Sequence, residues 1–299
     1  MRTPRKVGPQ VVDDAFDRGD AGRGQPHRLT FRRSRPVCET RAVTARLVTI
    51  PISHFCEKAR WALDRAGVDY VEQPHLQLVH IFAARLAGGG RTAPVFVTDS
   101  GEVLPDSTAI LRWSDTRMAP GRWLYPEGAL GTEAAVLESL FNEQFGPDTR
   151  LWVYEETLPV VHDMGPWVLY GIPRWEKAFF RASGPFVGIS IRRYLHVDAE
   201  AGRAALARID QVFDDVAERL SDGRRFLLGD RFTAADLTFA ALAAPVLLPA
   251  RYGSPLPPLE MMPSRPAREV ERLRAHPAGT FADRLYTEER VGVVPAPPP

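Results

Sequence analysis

Cysteine is almost absent from this chain: Cys38 and Cys56 are the two that occur among its 299 residues. Two cysteines are too few for the disulfide framework of a small secreted domain. They are also too few for a multi-cysteine zinc site. We therefore expect a reducing, cytoplasmic environment and no bound metal.

Net charge and long apolar runs are lacking as well. The Lys and Arg residues number 38 and the Asp and Glu residues 37, which leaves a formal net charge of +1. This balance argues against nucleic acid or an anionic membrane as the main partner. The longest apolar stretch, 234–250, is interrupted by Asp236, Pro245 and Pro249. It therefore predicts a buried helix followed by a turn and not a membrane span.

The composition is that of a soluble globular protein, with 44% hydrophobic and 25% charged residues, and its length suits one large domain or two ordinary ones. Residues 1–43 are rich in Arg, Gly, Pro and Asp and predict a flexible arm without a secretory signal. An organelle transit peptide is the alternative, although four Asp residues are unusual in such a segment. Residues 291–299 predict an extended, Pro-rich tail.

Between residues 44 and 119 the sequence alternates between strand-like and helix-like segments. Short apolar and β-branched runs predict strands over 47–50, 69–73, 94–97 and 102–104. Helical spacing predicts helices over 54–66, over 76–86 and after a cap at Ser107. In the second of these, Leu78, Phe82 and Leu86 share one face. The resulting order, βαβαββα, is that of a thioredoxin-like domain.

From residue 120 to residue 290 the helical period replaces this alternation, and we expect an all-helical domain. Predicted helices cover 132–145, 201–220 and 237–244. One side of the first carries Val136, Leu137, Leu140 and Phe141. A capping box from Thr233 to Asp236 precedes the last. Four prolines divide the aromatic-rich segment 150–195 into short helices.

The segment from Ser53 to Cys56 places a hydroxyl and a thiol in the first turn of the first predicted helix. A helix N-terminus presents unpaired N–H groups and a partial positive charge, so it favours an anion, including a thiolate. This pattern is typical of sulfur chemistry. The alternative is that Ser53 is a plain N-cap and Cys56 a small buried apolar residue, which is the commoner meaning of this spacing alone.

Four motifs, in this order, resemble those of the soluble glutathione transferase superfamily, whose members join a thioredoxin-like domain to an all-helical domain. They are Ser53-x-x-Cys56 with the helix after it, Thr92-Ala93-Pro94-Val95, Asp106-Ser107-Thr108-Ala109-Ile110, and Thr233-Ala234-Ala235-Asp236 with the turn before it. The resemblance covers residues 44–290. It implies this two-domain fold and glutathione as cosubstrate.

The resemblance also implies which residues bind glutathione. The Ala93–Pro94 peptide bond is cis in such proteins, and the backbone of Ala93 pairs with the cysteinyl part of the tripeptide. Ser107, expected at the N-cap of its helix, receives the γ-glutamyl carboxylate, and Asp106 receives the ammonium group. Arg91 either meets the glycine carboxylate or is an ordinary surface residue.

Ser53 occupies the catalytic position of the resemblance, which implies that its hydroxyl donates a hydrogen bond to the glutathione sulfur. Cys56, the second candidate catalytic residue, has a thiol role if it is exposed and its pKa is lowered. His54 replaces a proline that many relatives carry, and is either a general base or without a chemical role. Four aromatic residues are candidate walls of the acceptor pocket, with burial in the core as the alternative. They are Phe141, Phe145, Trp152 and Tyr154.

The sequence thus favours a glutathione-dependent transferase, or a related thiol-handling enzyme, that attacks a small electrophile. Two alternatives stay open: a glutathione-dependent isomerase or dehalogenase on the same fold, and a non-catalytic binding or scaffolding protein. Relatives commonly dimerise, so a homodimer is the default expectation. Nucleic acid and membranes are not expected as partners.

Overall fold

A computed structural model describes residues 44–183, 185–194, 197–290 and 292. The arm predicted over 1–43 lies outside these ranges, as does the tail predicted over 291–299 apart from residue 292. No helix within the ranges combines the length and the apolar character that crossing a membrane requires.

The first half of the described chain forms a four-stranded mixed sheet with three helices. The strands are β1 Arg46–Thr49, β2 Val71–Pro74, β3 Val95–Val97 and β4 Val103–Leu104, in the spatial order β2-β1-β3-β4. β1 pairs with β2 in parallel, and the pairs β1–β3 and β3–β4 are antiparallel. The helices are α1 His54–Arg65, α2 His80–Leu86 and α3 Ser107–Asp115. The predicted order and the thioredoxin-like fold are confirmed.

Side chains alternate along β1, and this alternation separates the two faces of the sheet. Leu47 packs with Leu63 of α1 and Ile110 of α3. Val48 points the other way and packs with Ala84 of α2. Helices therefore cover the sheet on both faces, and the carboxyl end of β1 leads into the loop that precedes α1.

Helix α2 starts later than predicted, and the apolar face noted in the sequence does not pack on the sheet. It begins at His80, because Leu78 has a φ of 75°, a left-handed conformation that a right-handed helix does not contain. Phe82 is 69% exposed and Leu86 is 88% exposed, so the face that these apolar residues share points to solvent. Ala84 packs on the sheet instead, since its small side chain lets the helix approach closely.

After the sheet the chain is helical, and the two-part architecture is as predicted. The helices are α4 Ala129–Leu140, α5 Gly146–Thr157, α6 Gly165–Val168, α7 Arg174–Ser183, α8 Pro185–Tyr194, α9 Ala199–Leu220, α10 Ala234–Leu247, α11 Ser264–Ala275 and α12 Pro277–Glu288.

Helix α4 passes directly into α5 through a π-helical turn, Phe141–Phe145. The helix predicted over 132–145 is therefore the first part of a longer one. Val136 is 60% exposed and Leu140 is 40% exposed, whereas Leu137 and Glu138 are buried. The side that carries the four apolar residues noted in the sequence is therefore only partly buried. The extra residue per turn in a π-helix also changes which side chains of the following helix face inward, and such turns are frequent at functional sites.

Helix α10 is buried almost along its whole length and forms the centre of the helical half. Its Phe239 stacks on Phe145 and meets Phe213 edge-on. The predicted capping box at its start is confirmed, because the carboxylate of Asp236 accepts hydrogen bonds from the backbone N–H and the hydroxyl of Thr233. A cap and an aromatic core thus fix this helix.

Candidate active site

A cleft lined by both halves of the described chain encloses about 1200 Å³, part of it open to solvent. The first half contributes the loop 50–55, the segment around Leu78 and residues 91–93. The helical half contributes one face of α5 and the region after α10. Leu78 and Leu248 line the cleft with φ values of 75° and 47°. Left-handed backbone is costly for leucine, and such strain collects at functional sites.

A second pocket adjoins the cleft. The two share Phe55, Thr92, Ala93 and Arg150. Of the predicted site residues, Ser53 and Ala93 line the cleft, and Ala93, Pro94, Asp106 and Ser107 line the second pocket. The fold therefore brings these predicted residues together around adjoining cavities, while Cys56 lies outside both. Within the described ranges, no group of three or more His, Cys, Asp or Glu side chains is arranged to hold a metal ion.

Ser53 is the N-cap of α1, as predicted. Its backbone is extended, with φ −73° and ψ 124°, and its Oγ accepts the N–H of Cys56 at 3.4 Å. A hydroxyl has one proton to donate besides its acceptor sites. The described residues offer no acceptor for that proton, so the proton is available to a group in the cleft.

Cys56 meets neither condition on which a thiol role depended. Its side chain is fully buried, and its Sγ accepts the backbone N–H of Ile50 at 3.4 Å. Burial raises the pKa of the thiol, against the smaller opposing effect of Arg60. The predicted catalytic role is therefore corrected: Cys56 is a packed, protonated side chain below the cap.

The Ala93–Pro94 peptide bond is cis, which confirms that expectation. The prediction that Ser107 is the N-cap of α3 is wrong, because Asp106 occupies that position. Asp106 has the extended backbone, and its Oδ1 accepts the N–H of Ala109 at 2.8 Å. Ser107 is the first helical residue, where its own backbone N–H has no partner within the helix. Both residues line the second pocket.

His54 is buried, and its Nε2 donates to the carbonyl oxygen of Gly146 at 2.9 Å. A carbonyl oxygen can only accept, so the proton of the neutral ring is assigned to Nε2. Burial, helped by the positive charge of Arg150, lowers the pKa of His54 to about 3. A ring with so low a pKa is a poor proton acceptor at neutral pH, which argues against the general-base alternative. The hydrogen bond from His54 to Gly146 links the start of α1 to the start of α5.

The low pKa of His54 predicts a pH dependence of stability. The unfolded chain takes up this proton near pH 6.5 and the folded chain near pH 3, so the contribution of His54 is complete above pH 6.5 and is lost as the pH falls. Between pH 7.5 and 5.5 the loss is about 1.4 kcal/mol. In urea denaturation, the stability difference between wild type and His54→Gln should shrink by this amount. A difference that does not vary with pH contradicts a buried neutral imidazole.

A buried polar cluster beside the second pocket joins α1, α3 and the helical half. Lys58 forms an ion pair with Glu138 and donates to Asn142 Oδ1 at 2.9 Å and to Thr108 Oγ1 at 3.3 Å. Thr108 follows Ser107 in α3, so the cluster fixes the turn that lines the pocket. Sequence reasoning missed it, because Lys58 and Glu138 lie 80 residues apart in the chain.

The wall of the cleft differs from the predicted one. Phe141, Phe145 and Trp152 are at most 3% exposed and belong to the core, whereas Tyr154 lines the cleft. Arg150 lines it too and was missed by sequence reasoning. The spacing of residues 150, 153, 154 and 157 was the available signal, since a helix places them on one face.

Two family models match the sequence, one to each half. The model for the N-terminal domain of glutathione S-transferase matches residues 47–121, and the model for the C-terminal domain matches residues 199–275. No curated protein sequence is similar enough to count as a match.

Solved glutathione transferases share the fold. The enzyme from Xanthobacter autotrophicus Py2 is 19% identical with a TM-score of 0.53, and the match covers 84% of this chain and 97% of that one. GSTFuA3 from Phanerochaete chrysosporium is 18% identical with a TM-score of 0.56, over 84% and 99% of the chains. CsGST63524 of Ceriporiopsis subvermispora, in complex with glutathione, is 19% identical with a TM-score of 0.52, over 84% and 99%.

The two family models match the two parts of the fold in the same order along the chain. The first spans the sheet with its three helices, and the second lies within the helical half. Together they match about half of the chain, and the solved structures share its architecture over most of their length. The chain belongs to the glutathione transferase superfamily.

Proposed function

We propose that the protein is a glutathione-dependent transferase in which Ser53 holds the glutathione sulfur as a thiolate for attack on a small electrophile. One observation carries the proposal: Ser53 lines the cleft at the N-terminus of α1, while Asp106 and Ser107 line the pocket that adjoins it, with Ala93 common to both cavities. A tripeptide thiol lying across the two has its sulfur near Ser53 and its γ-glutamyl end near α3.

The second pocket supplies the groups that the γ-glutamyl end requires. The first turn of α3 offers unpaired N–H groups and the Ser107 hydroxyl to a carboxylate. Asp106 uses its Oδ1 on the Ala109 N–H, which leaves Oδ2 for an ammonium group. The backbone of Ala93, at the junction of the cavities, is suited to pair with the cysteinyl residue.

Ser53 acts by donating a hydrogen bond to sulfur, because its oxygen already accepts the Cys56 N–H. This donor, the partial positive charge at the start of α1 and the cation Arg91 in the cleft all favour thiolate over thiol. In the transfer step a carbon–sulfur bond forms and the leaving group departs with its bonding electrons. The thiol proton passes to solvent.

Ser53→Ala tests this role. With glutathione and 1-chloro-2,4-dinitrobenzene we expect kcat/KM to fall about 100-fold, the usual loss when one donor to a developing or resident anion is removed. The thiol pKa of bound glutathione, followed by thiolate absorbance, should rise with it. Cys56→Ala is the control and should change the rate less than about threefold, because the buried thiol does not reach the cleft.

Two outcomes overturn the proposal in different ways. If Ser53→Ala leaves kcat/KM unchanged, Ser53 has no part in the mechanism, but the protein can still be a transferase. Failure of the wild type to bind glutathione at millimolar concentration removes glutathione as cosubstrate. Binding without turnover of any electrophile favours the non-catalytic alternative, and turnover with isomerised or dehalogenated product favours the isomerase or dehalogenase. A cytoplasmic location and a homodimer are part of the same proposal.

A further inference from the structure

Helix α5 presents one face to the cleft, and that face carries two polar side chains whose hydrogen-bonding groups have no partner among the described residues. Arg150, Val153, Tyr154 and Thr157 follow one another at helical spacing, and all four line the cleft. The Arg150 guanidinium and the Tyr154 hydroxyl make no hydrogen bond and no ion pair to any residue that the structure describes. A partly buried guanidinium without a partner is costly, and it is usually paired with an anion.

The protein supplies no such anion in the part of the chain described. Neither Asp nor Glu is among the residues that line the cleft, whereas Arg91 and Arg150 are. The second pocket, which Arg150 also lines, does contain carboxylates: Asp106, Glu138 and Glu143. None of them forms an ion pair with Arg150: Asp106 accepts the N–H of Ala109, Glu138 pairs with the ammonium of Lys58, and Glu143 accepts the hydroxyl of Ser139.

The remaining lining of the cleft is mostly apolar. It includes Ile52, Val153, Met164, Leu248, Leu256 and Met262. Such a surface holds an alkyl or aromatic body and gains free energy in proportion to the apolar area that it covers. The occupant that fits both features is therefore an apolar molecule that carries one anionic group.

We propose that Arg150 and Tyr154 form a carboxylate-binding subsite for the second substrate, so that the preferred electrophile is an alkyl or aromatic compound bearing a carboxylic acid. The inference rests on the proposed function, since it concerns the second substrate of that same reaction. The planar guanidinium matches a carboxylate in a bidentate manner, and the phenol adds a third hydrogen-bond donor.

Binding of two product analogues tests the subsite without turnover. S-(4-carboxybenzyl)glutathione and S-benzylglutathione differ only in the acid group, and titration calorimetry gives both affinities. For the acid conjugate, Arg150→Gln should weaken binding about 10- to 100-fold, the usual worth of a charge-assisted pair. Its effect on the neutral conjugate should be at least about tenfold smaller. Tyr154→Phe, which removes one oxygen atom, should weaken the acid conjugate alone, about threefold to tenfold.

The control is Arg203→Gln, which removes the same charge from an exposed position on α9 outside both cavities and should leave both affinities unchanged. Equal weakening of both conjugates by Arg150→Gln assigns Arg150 to glutathione itself and overturns the subsite. Unchanged binding of the acid conjugate overturns it as well. If the wild type binds neither conjugate, the glutathione site is refuted and the subsite with it, an outcome distinct from binding without selectivity.

Discussion

Replacing Glu138 by alanine is expected to lower the free energy of unfolding by about 3–5 kcal/mol, because it leaves the Lys58 ammonium buried without a charge partner. The Lys58 side chain is fully buried and that of Glu138 is 2% exposed. Asn142 and Thr108 also accept hydrogen bonds from Lys58, but neutral acceptors do not balance its charge. Burial already lowers the pKa of Lys58, and Glu138 opposes that shift. Without Glu138 the lysine must lose its proton or remain an unpaired charge.

Urea denaturation measures this loss, and Glu143→Ala is the matched control. Glu143 lies in the π-helical turn that follows, is exposed and is hydrogen-bonded by Ser139, so its replacement should cost less than about 0.5 kcal/mol. The double variant Lys58→Met, Glu138→Leu removes both charges and should recover most of the stability. Equal stability of the two Glu→Ala proteins contradicts a buried ion pair at this position.

The predictions that held depend on local chemistry. Ser53 caps α1 because a short side chain with an oxygen atom can reach the backbone N–H of Cys56. The capping box before α10 likewise involves only four consecutive residues. In each case the donor and the acceptor are neighbours in sequence, so the pattern contains the whole interaction.

The predictions that failed depend on packing between distant segments. Apolar periodicity identified α2 as a helix, but Phe82 and Leu86 face solvent. The alanines of α2 pack closely against the sheet instead. The reactivity of Cys56 could not be predicted either, since exposure is set by the elements that cover a residue and not by its position in a motif. Arg150 was overlooked for the same reason: a charged residue on a helix is normally exposed, and this one lines a cleft formed by both halves.

The capping box before α10 is the site of the second large effect on stability. We expect Asp236→Ala to lower the free energy of unfolding by about 3–4 kcal/mol, because it removes the acceptor of three hydrogen bonds in a fully buried site. The donors are the backbone N–H of Leu227 at 2.8 Å, the backbone N–H of Thr233 at 2.8 Å and the Thr233 hydroxyl at 2.9 Å. In the alanine variant these donors stay buried and lose their partner.

The pH dependence of this loss separates the carboxylate from mere packing. Burial raises the pKa of Asp236 to about 6, above the usual 3.8, so the folded protein takes up a proton that the unfolded chain does not bind at pH 5. The linked stability is complete below pH 3.8 and is lost as the pH rises through 6. The deficit of Asp236→Ala should therefore be about 1.4 kcal/mol larger at pH 5 than at pH 7.5. Asp230→Ala, at an exposed position before the same helix, should not show the deficit. A deficit that is equal at the two pH values would mean that Asp236 is ionised throughout, with its three donors outweighing its burial.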